Sequence, residues 1–375
     1  MKQILVLTLV LAMLLGGCGA KPAPTVPTTE ATTEATTEPT TVPTTEPAPV
    51  YTNPLTGEVI DAPIDTRIFA VSINNLEKAI PHYGIPEADI FMEMFVNGSI
   101  IRGLALFADP SDVNAIGAVR STRPMFTDIS LRYNAIVAHA GGDERVLKAA
   151  AAKGAEGINM YTADETYFSF RDMNRRKSGY AIEHCLFAKG TGLKDRAVEK
   201  GIDIAQDPDR TYGLTFVEDG TPVNGEIADT ITLTFTSYGR KSSTMVYNED
   251  LGKYIYHQYK KEMADGITGE PEAFENVVIM LGDVYMNELG YHECNFTKGG
   301  TGYYACNGMI IPILWSCEGQ YDPFHFTTID GEPLSFGVGN TYLAIATEKS
   351  PVEWEDLTPP PETTAETISE EVAGE

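Results

Sequence analysis

Positive charge is scarce in this 375-residue chain: 27 lysines and arginines stand against 53 aspartates and glutamates, for a formal net charge of −26. Nucleic acid, whose proteins bind mainly through phosphate contacts from basic groups, is therefore set aside as a partner. Wholesale adhesion to polyanionic polymers is disfavoured for the same reason. Cysteine is also rare, with five residues, and none forms a Cys-x-x-Cys pair, so no metal site and no cofactor is expected. No apolar run reaches the ~20 residues needed for a permanent membrane-spanning helix. Also missing are a Ser nucleophile elbow, a P-loop, a His-Glu-x-x-His helix and an EF-hand loop.

What is present begins with a leader. Lys2 precedes an uncharged apolar run over residues 4–15, which ends in Leu15-Gly16-Gly17-Cys18. Residues 1–17 read as a signal peptide, and small residues before a Cys resemble the bacterial lipobox, in which the thiol takes up diacylglycerol. Each buried methylene adds about 0.8 kcal/mol, so several acyl chains would hold firmly where one would not. Residues 18–50 form a stalk of period-four Thr-Thr-Glu-Ala and Thr-Thr-Glu-Pro repeats. Such a segment buries too little apolar surface to offset its ordering entropy. Stretched, it reaches roughly 90 Å. Residues 351–375 read as a second disordered, acidic segment.

Between these ends lie two expected domains, an α/β part over residues 51–225 and a β-rich part over 226–350. The expected fold class is α/β, a layered mixed sheet with helices in the N-terminal part. Setting aside Lys2, Lys21, four stalk Glu and the five Glu beyond residue 357 leaves 25 basic and 44 acidic residues. Asn97-Gly98 joins two apolar runs, a strong hairpin signal because both residues tolerate positive φ. Pro124 suits the first turn of a helix through Arg132. Asp143 can cap an Ala-rich helix over 144–153. Beyond residue 228 the helical signals fade and seven strands are expected. Asp89 and Glu93 fall on one face of an alternating strand, a pattern open to paired carboxylates or a cation.

Three constellations could carry chemistry. Val119-Arg120-Ser121-Thr122-Arg123-Pro124 puts the guanidiniums of Arg120 and Arg123 at a strand-to-helix loop, where orphan N–H groups favour an anion. His139-Ala140-Gly141-Gly142-Asp143 is a second strand end entering a helix, and Gly141 and Gly142 allow close approach. If both strands are parallel neighbours, the two loops share a sheet edge of the kind that binds ligands. Arg171, Arg175, Arg176 and Lys177, followed by His184, form the only dense basic cluster. Against each stands a plainer reading: local ion pairs for the arginines, a structural hydrogen bond for His139, a solvated loop for the basic run. Cys294 and Cys306 flank a Gly-rich segment and could face each other as a disulfide, or remain free buried thiols. Tyr303, Tyr304, Trp315, Tyr321, Phe324 and Phe326 are open to sugar stacking or core packing.

Several motifs in order resemble the YerB-like bacterial lipoproteins, a family built on a domain of unknown function. They are Asn53-Pro54-Leu55-Thr56-Gly57, Gly84-Ile85-Pro86-Glu87-Ala88-Asp89-Ile90, the segment from Ile116 to Pro124, His139-Ala140-Gly141-Gly142, Asn276-Val277-Val278-Ile279, and the stretch from Gly300 to Trp315. The resemblance covers residues 53 to 348. It implies an α/β layered sandwich with a β-rich C-terminal part and no established activity. Family members tend to carry Pro-His-Asn where this chain has Glu183-His184-Cys185, and a His two residues before an Asp where it has Met263-Ala264-Asp265. The amide beside His184 and the second His are thus absent.

The expectation is a lipid-anchored envelope protein at the outer face of the cytoplasmic membrane, with a Gram-positive envelope suggested by the style of the stalk. It would bind a wall component or envelope protein through Arg120, Arg123, His139 and His184. The alternatives are a hydrolase or transferase on a wall polymer, with a His general base and an Arg anion clamp, and a cation-dependent structural role. The anchor has a direct test. Cys18→Ala is expected to move the protein from the membrane fraction to the medium, and retention in the membrane would count against lipidation.

Overall fold

A computed structural model of the chain describes residues 49–357, apart from 162–164, 237 and 239. The leader, Cys18, all but the end of the stalk and the tail from 358 lie outside the described residues. The first half contributes β1 (Phe69–Ile73), β2 (Ile90–Asn97), β3 (Ile100–Phe107), α1 (Pro124–Arg132), β4 (Ile136–His139), α2 (Glu144–Ala152) and β5 (Gly157–Asn159). The second half contributes β6 (Thr230–Phe235), β7 (Lys241–Asn248), β8 (Lys253–Gln258), β9 (Asn276–Gly282), β10 (Gly300–Cys306), β11 (Met309–Ser316), β12 (Thr341–Thr347) and β13 (Val352–Glu355). The fold is mixed α/β and mostly strand, with its helices in the N-terminal part. After residue 228 the described residues add only one 3-10 turn, Phe296–Lys298.

Local chemistry accounts for several boundaries. The β2–β3 hairpin turns at Gly98, φ +53°, where a Cβ would be strained. Pro124 opens α1, and Asn134 follows its C-terminus at φ +48°, a conformation Asn tolerates better than most residues. Asp143 caps α2 by accepting from the Arg145 N–H at 2.9 Å.

The main sheet has eleven strands and takes members from both halves. Its order runs from Glu226–Ile227 through β11, β10, β9, β12, β2, β3, β1 and β4 to β5, with His325–Thr328 added on β11. The halves join where β12 lies parallel to β9 on one side and to β2 on the other. A second sheet of six strands contains β8, β7, β6 and β13. Alternation along β2 sends Phe91 and Phe95 to one apolar cluster and Met92 and Met94 to another. The first cluster lies against the second sheet, with Phe235, Tyr256 and Phe274; the second holds Phe126 and Ile129 of α1 together with Trp315.

One boundary needs correction, and two readings left open by the sequence can be followed in the structure. The tail assigned from residue 351 begins as a strand: Val352–Glu355 pairs antiparallel with β6, since Val-Glu-Trp-Glu alternates with the period of a strand. Cys294 and Cys306 do not face each other. Cys294 sits opposite Val284 in a small hairpin and Cys306 opposite Asn276 and Met309, and both are free, buried thiols. Of the six aromatics open to stacking or packing, Trp315, Tyr304, Phe324 and Phe326 are buried in the core, whereas Tyr303 is half-buried and Tyr321 exposed.

Two ionic groups are sealed between the sheets. Glu93 on β2 is fully buried. Its carboxylate accepts from Asn75 Nδ2 (2.7 Å), Ser243 Oγ (2.7 Å), Tyr342 OH (2.6 Å) and Lys241 Nζ. Burial alone would raise its pKa, but the Lys241 charge and the donated hydrogen bonds together outweigh burial and hold it below the usual value. His82 Nδ1 meets Glu272 at 3.1 Å with neither side chain exposed. Asp89, by contrast, accepts from Asn53 and the Ala108 N–H, so Asp89 and Glu93 build no shared site. Removing one partner of a buried pair leaves an uncompensated charge, which costs about 3–5 kcal/mol. Lys241→Ala is expected to lower unfolding stability by that amount in chemical denaturation; a loss below about 1 kcal/mol, the scale of an exposed pair, would refute the role given to this pair.

Candidate functional site

The expected sharing of an edge by the Arg120 and His139 loops is real, though the route differs. Ile116–Gly117 pairs with Leu186–Ala188, not with β4. The chain then wedges between the ends of β1 and β4: the Arg120 N–H donates to Ser72 O and its carbonyl accepts from the Ala140 N–H, both at 2.8 Å. Thr122 N–H donates to Gly141 O at 3.1 Å, and Ser121 Oγ to Ala140 O at 2.9 Å. Gly141 takes φ +74°. A Cβ at Gly142 would press on Thr122 and Leu147 at 3.2–3.3 Å. Both glycines therefore serve to bring the two loops together.

Arginines collect at this edge. Arg102, from β3, is only 4% exposed and donates from Nη1 to Ser121 O at 2.7 Å. Arg123 donates to Thr122 O at 2.7 Å and lies over the Tyr291 ring, 5.3 Å from its centroid. Nε of Arg120 and of Arg123 is buried without a hydrogen-bond partner. Burial, and then the like charges of Arg123 and Arg120, pull the Arg102 guanidinium down to about 9. Burial likewise lowers Arg123; Arg120 repels it, while Tyr291 and Asp143 act the other way. Asp143 is already engaged by Arg145 Nη2 at 2.6 Å. Among the described residues no salt bridge neutralises Arg102, Arg120 or Arg123. Three cations held together without an ion-pair partner among the described residues, beside the opening turn of α1, form a place for an anion.

The histidines divide. His139 lines a cavity of 170 Å³ with Thr122 and Thr127, and its Nδ1 meets Gly141 O at 2.8 Å. His184 lines a separate cavity of 390 Å³ with Lys78 and Tyr180. Its Nδ1 is 2.8 Å from Asn74 Nδ2, so Nδ1 is the acceptor and Nε2 carries the proton of the neutral ring. Burial lowers both; the Glu183 charge opposes this at His184 while Arg120 adds to it, and the Gly141 carbonyl opposes it at His139 while Lys200 adds to it. Among the described residues neither ring has a hydrogen bond to a carboxylate or a nucleophile. Cys185, next to His184, is buried, and burial raises its thiol pKa. Arg171 lies apart, donating to Ile182 O at 3.2 Å and acting on Cys185. Arg175 is no solvated loop residue: it is 6% exposed, donates to Ala79 O and Pro81 O, and lies over Tyr83, Tyr180 and Phe187.

Residues 55–203 match the profile of the N-terminal domain of a protein of unknown function, DUF3048, and residues 231–343 match its C-terminal domain. The chain belongs to the DUF3048 family. Its relative from Bacillus subtilis (strain 168), named "Putative lipoprotein YerB", is 27% identical over 300 residues, covering 78% of this chain and 85% of the relative. The crystal structure of the Bacillus subtilis YerB protein aligns with a TM-score of 0.69 at 23% identity, over 80% of this chain and 99% of that one. The DUF3048 fold is thus shared. Both family domains feed the main sheet, and the arginine cluster belongs to the N-terminal one apart from Tyr291.

Arg102 and Tyr291 are site residues that sequence reasoning missed. A signal for Arg102 existed: it is the single charge in the apolar run Ile100–Phe107. Tyr291 carries no such mark, but its neighbour His292 allows a pH test. His292 is fully buried, stacked on Phe95 at 5.1 Å and edge-on to Tyr238 at 4.3 Å. Burial lowers its pKa to about 4. A folded value below the unfolded ~6.5 means that the unfolded chain binds the proton first, so this stability is present above pH 6.5 and lost as pH falls toward 4. His292→Phe is expected to remove about 2 kcal/mol of the stability difference between pH 7.5 and pH 5. Denaturation curves at the two pH values check it, and an unchanged difference would show that His292 is not the titrating group.

Proposed function

We propose that this DUF3048 protein is anchored through lipidated Cys18 at the outer face of the cytoplasmic membrane. There it acts as a binding module, not a catalyst, holding an anionic group of an envelope ligand or partner at Arg102, Arg120 and Arg123. The leader, the lipobox-like Leu15-Gly16-Gly17-Cys18 and the naming of YerB as a lipoprotein support the anchor. No helix among the described residues is long and apolar enough to cross a membrane. The observation that carries the binding role is the unneutralised arginine cluster within a strongly acidic chain. Guanidiniums kept together against their own repulsion are stabilised when a carboxylate or phosphate sits between them. Binding fits better than hydrolysis because His139 and His184 line different cavities and neither is oriented by a carboxylate.

Phosphate and citrate, titrated into the full chain, serve as simple anionic probes. Each is expected to raise the melting temperature. Arg120→Ala/Arg123→Ala is expected to weaken the response about tenfold or more, the scale of one or two charge-assisted hydrogen bonds. An unaltered response in the double variant would overturn the assignment. A pull-down from envelope extracts with the same pair of proteins would then compare the natural ligand's retention.

A further inference from the structure

A second cleft lies on the other face of the β2–β3 hairpin, between its tip and the second sheet. It encloses 630 Å³ and is lined by Ser99, Ile101, Arg240, Gln258, Tyr259 and Lys260, among others, with no carboxylate among the described residues of its wall. That volume suits a small molecule. Lys241, also in the wall, is neutralised by Glu93. Arg240 and Lys260 are exposed and have no ion-pair partner among the described residues, so they bring two unpaired cations to the mouth; the nearby carboxylates are directed elsewhere, Glu262 toward His257 at 3.9 Å and Glu77 toward Lys261 at 4.0 Å.

Two further features point to what enters. Gln258 is 2% exposed, and its Oε1 has no hydrogen-bond partner. Its orientation is determined by a relay from the core. The Glu93 carboxylate can only accept, so Asn75 turns its Nδ2 to Glu93 Oε1 (2.7 Å) and its Oδ1 to Gln258 Nε2 (2.6 Å). The open atom on Gln258 is therefore an acceptor, and a buried acceptor calls for a donor such as a hydroxyl. The second feature is the turn that follows. Tyr259 and Lys260 have φ +52° and +61° in a two-residue loop between Gln258 and Lys261, which pair across it. Such a loop favours Asn-Gly. Here a Tyr and a Lys take the strained positions, and Tyr259 OH pins the turn by donating to Asn75 O at 2.9 Å. Strain kept at bulky, polar residues beside a cavity points to a binding role.

We propose that this cleft binds a hydroxylated small anion of the acidic-sugar class. Its charge lies between Arg240 and Lys260, and one of its hydroxyls donates to Gln258 Oε1. The site is separate from the arginine cluster and stands whether or not that cluster binds anions. Glucuronate is the probe, with glucose and acetate as controls that each carry only one of the two features. In calorimetric titration of the full chain, glucuronate is expected to bind at least about tenfold more tightly than either control. Arg240→Ala/Lys260→Ala is expected to weaken glucuronate about tenfold or more; both side chains are exposed and unpaired, so the fold should persist. Arg120→Ala/Arg123→Ala is expected to leave glucuronate binding unchanged. Absence of glucuronate binding at about 10 mM, equal binding of acetate, or wild-type binding by Arg240→Ala/Lys260→Ala would each overturn the proposal.

Discussion

Glu93 is the constraint to which much of this structure answers. A carboxylate taken out of water loses several kcal/mol of solvation, and β2 carries this one into the space between two sheets. Four groups from distant parts of the chain converge to offset the loss: Asn75, Lys241, Ser243 and Tyr342. Lys241 and Ser243 belong to the second sheet, Tyr342 to the strand that joins the halves. Two halves matched by separate family profiles are thus tied by one charge. An apolar residue at position 93 would pack there without choosing among registers. A carboxylate with four donors accepts only the register that brings all four, so its value lies in specificity as much as in stability.

The same carboxylate reaches outward. It sets the direction of the Asn75 amide, Asn75 sets that of Gln258, and Gln258 stands in the wall of the basic cleft. On the opposite face of the same hairpin, Arg102 leaves the apolar run of β3 and is held by the Ser121 carbonyl. Residues 93 and 102 are the charges that interrupt the two apolar strands of the β2–β3 hairpin, one for each face. The hairpin thus has a buried carboxylate on one side and a buried guanidinium on the other, and the alternation of side chains along a strand is what separates them.

Much of the local architecture was legible in the chain. Asn97-Gly98, Pro124 and Asp143 act through their own backbone preferences, and the structure has the elements they announce. The parallel pairing of β12 with β2 was not legible. Both strands are buried on two faces and read as apolar runs, β2 broken only by Glu93, so the neighbour cannot be inferred from periodicity. The site was legible in its loops and illegible in its depth. Arg120, Arg123, His139 and the glycines stand in short motifs near strand ends. Arg102 comes from a strand scored only for hydrophobicity, and Tyr291 arrives from the far half by a tertiary contact. The separation of His139 from His184 was equally hidden, since both lie at element ends and only the three-dimensional course of the chain sends them to different cavities.

The overall charge and the local clusters act at different ranges. Exposed charges are screened over about 8 Å at physiological ionic strength. An extended polyanion approaching the protein meets many carboxylates along its length and is repelled. A small or terminal anionic group can enter within that distance of the arginine cluster or the basic cleft and meet mainly cations there. On the binding role proposed above, an acidic body with a few basic clusters would select by length as well as by charge. That property would suit a tethered protein working among charged polymers at the cell surface, where wholesale adhesion would immobilise it on its surroundings.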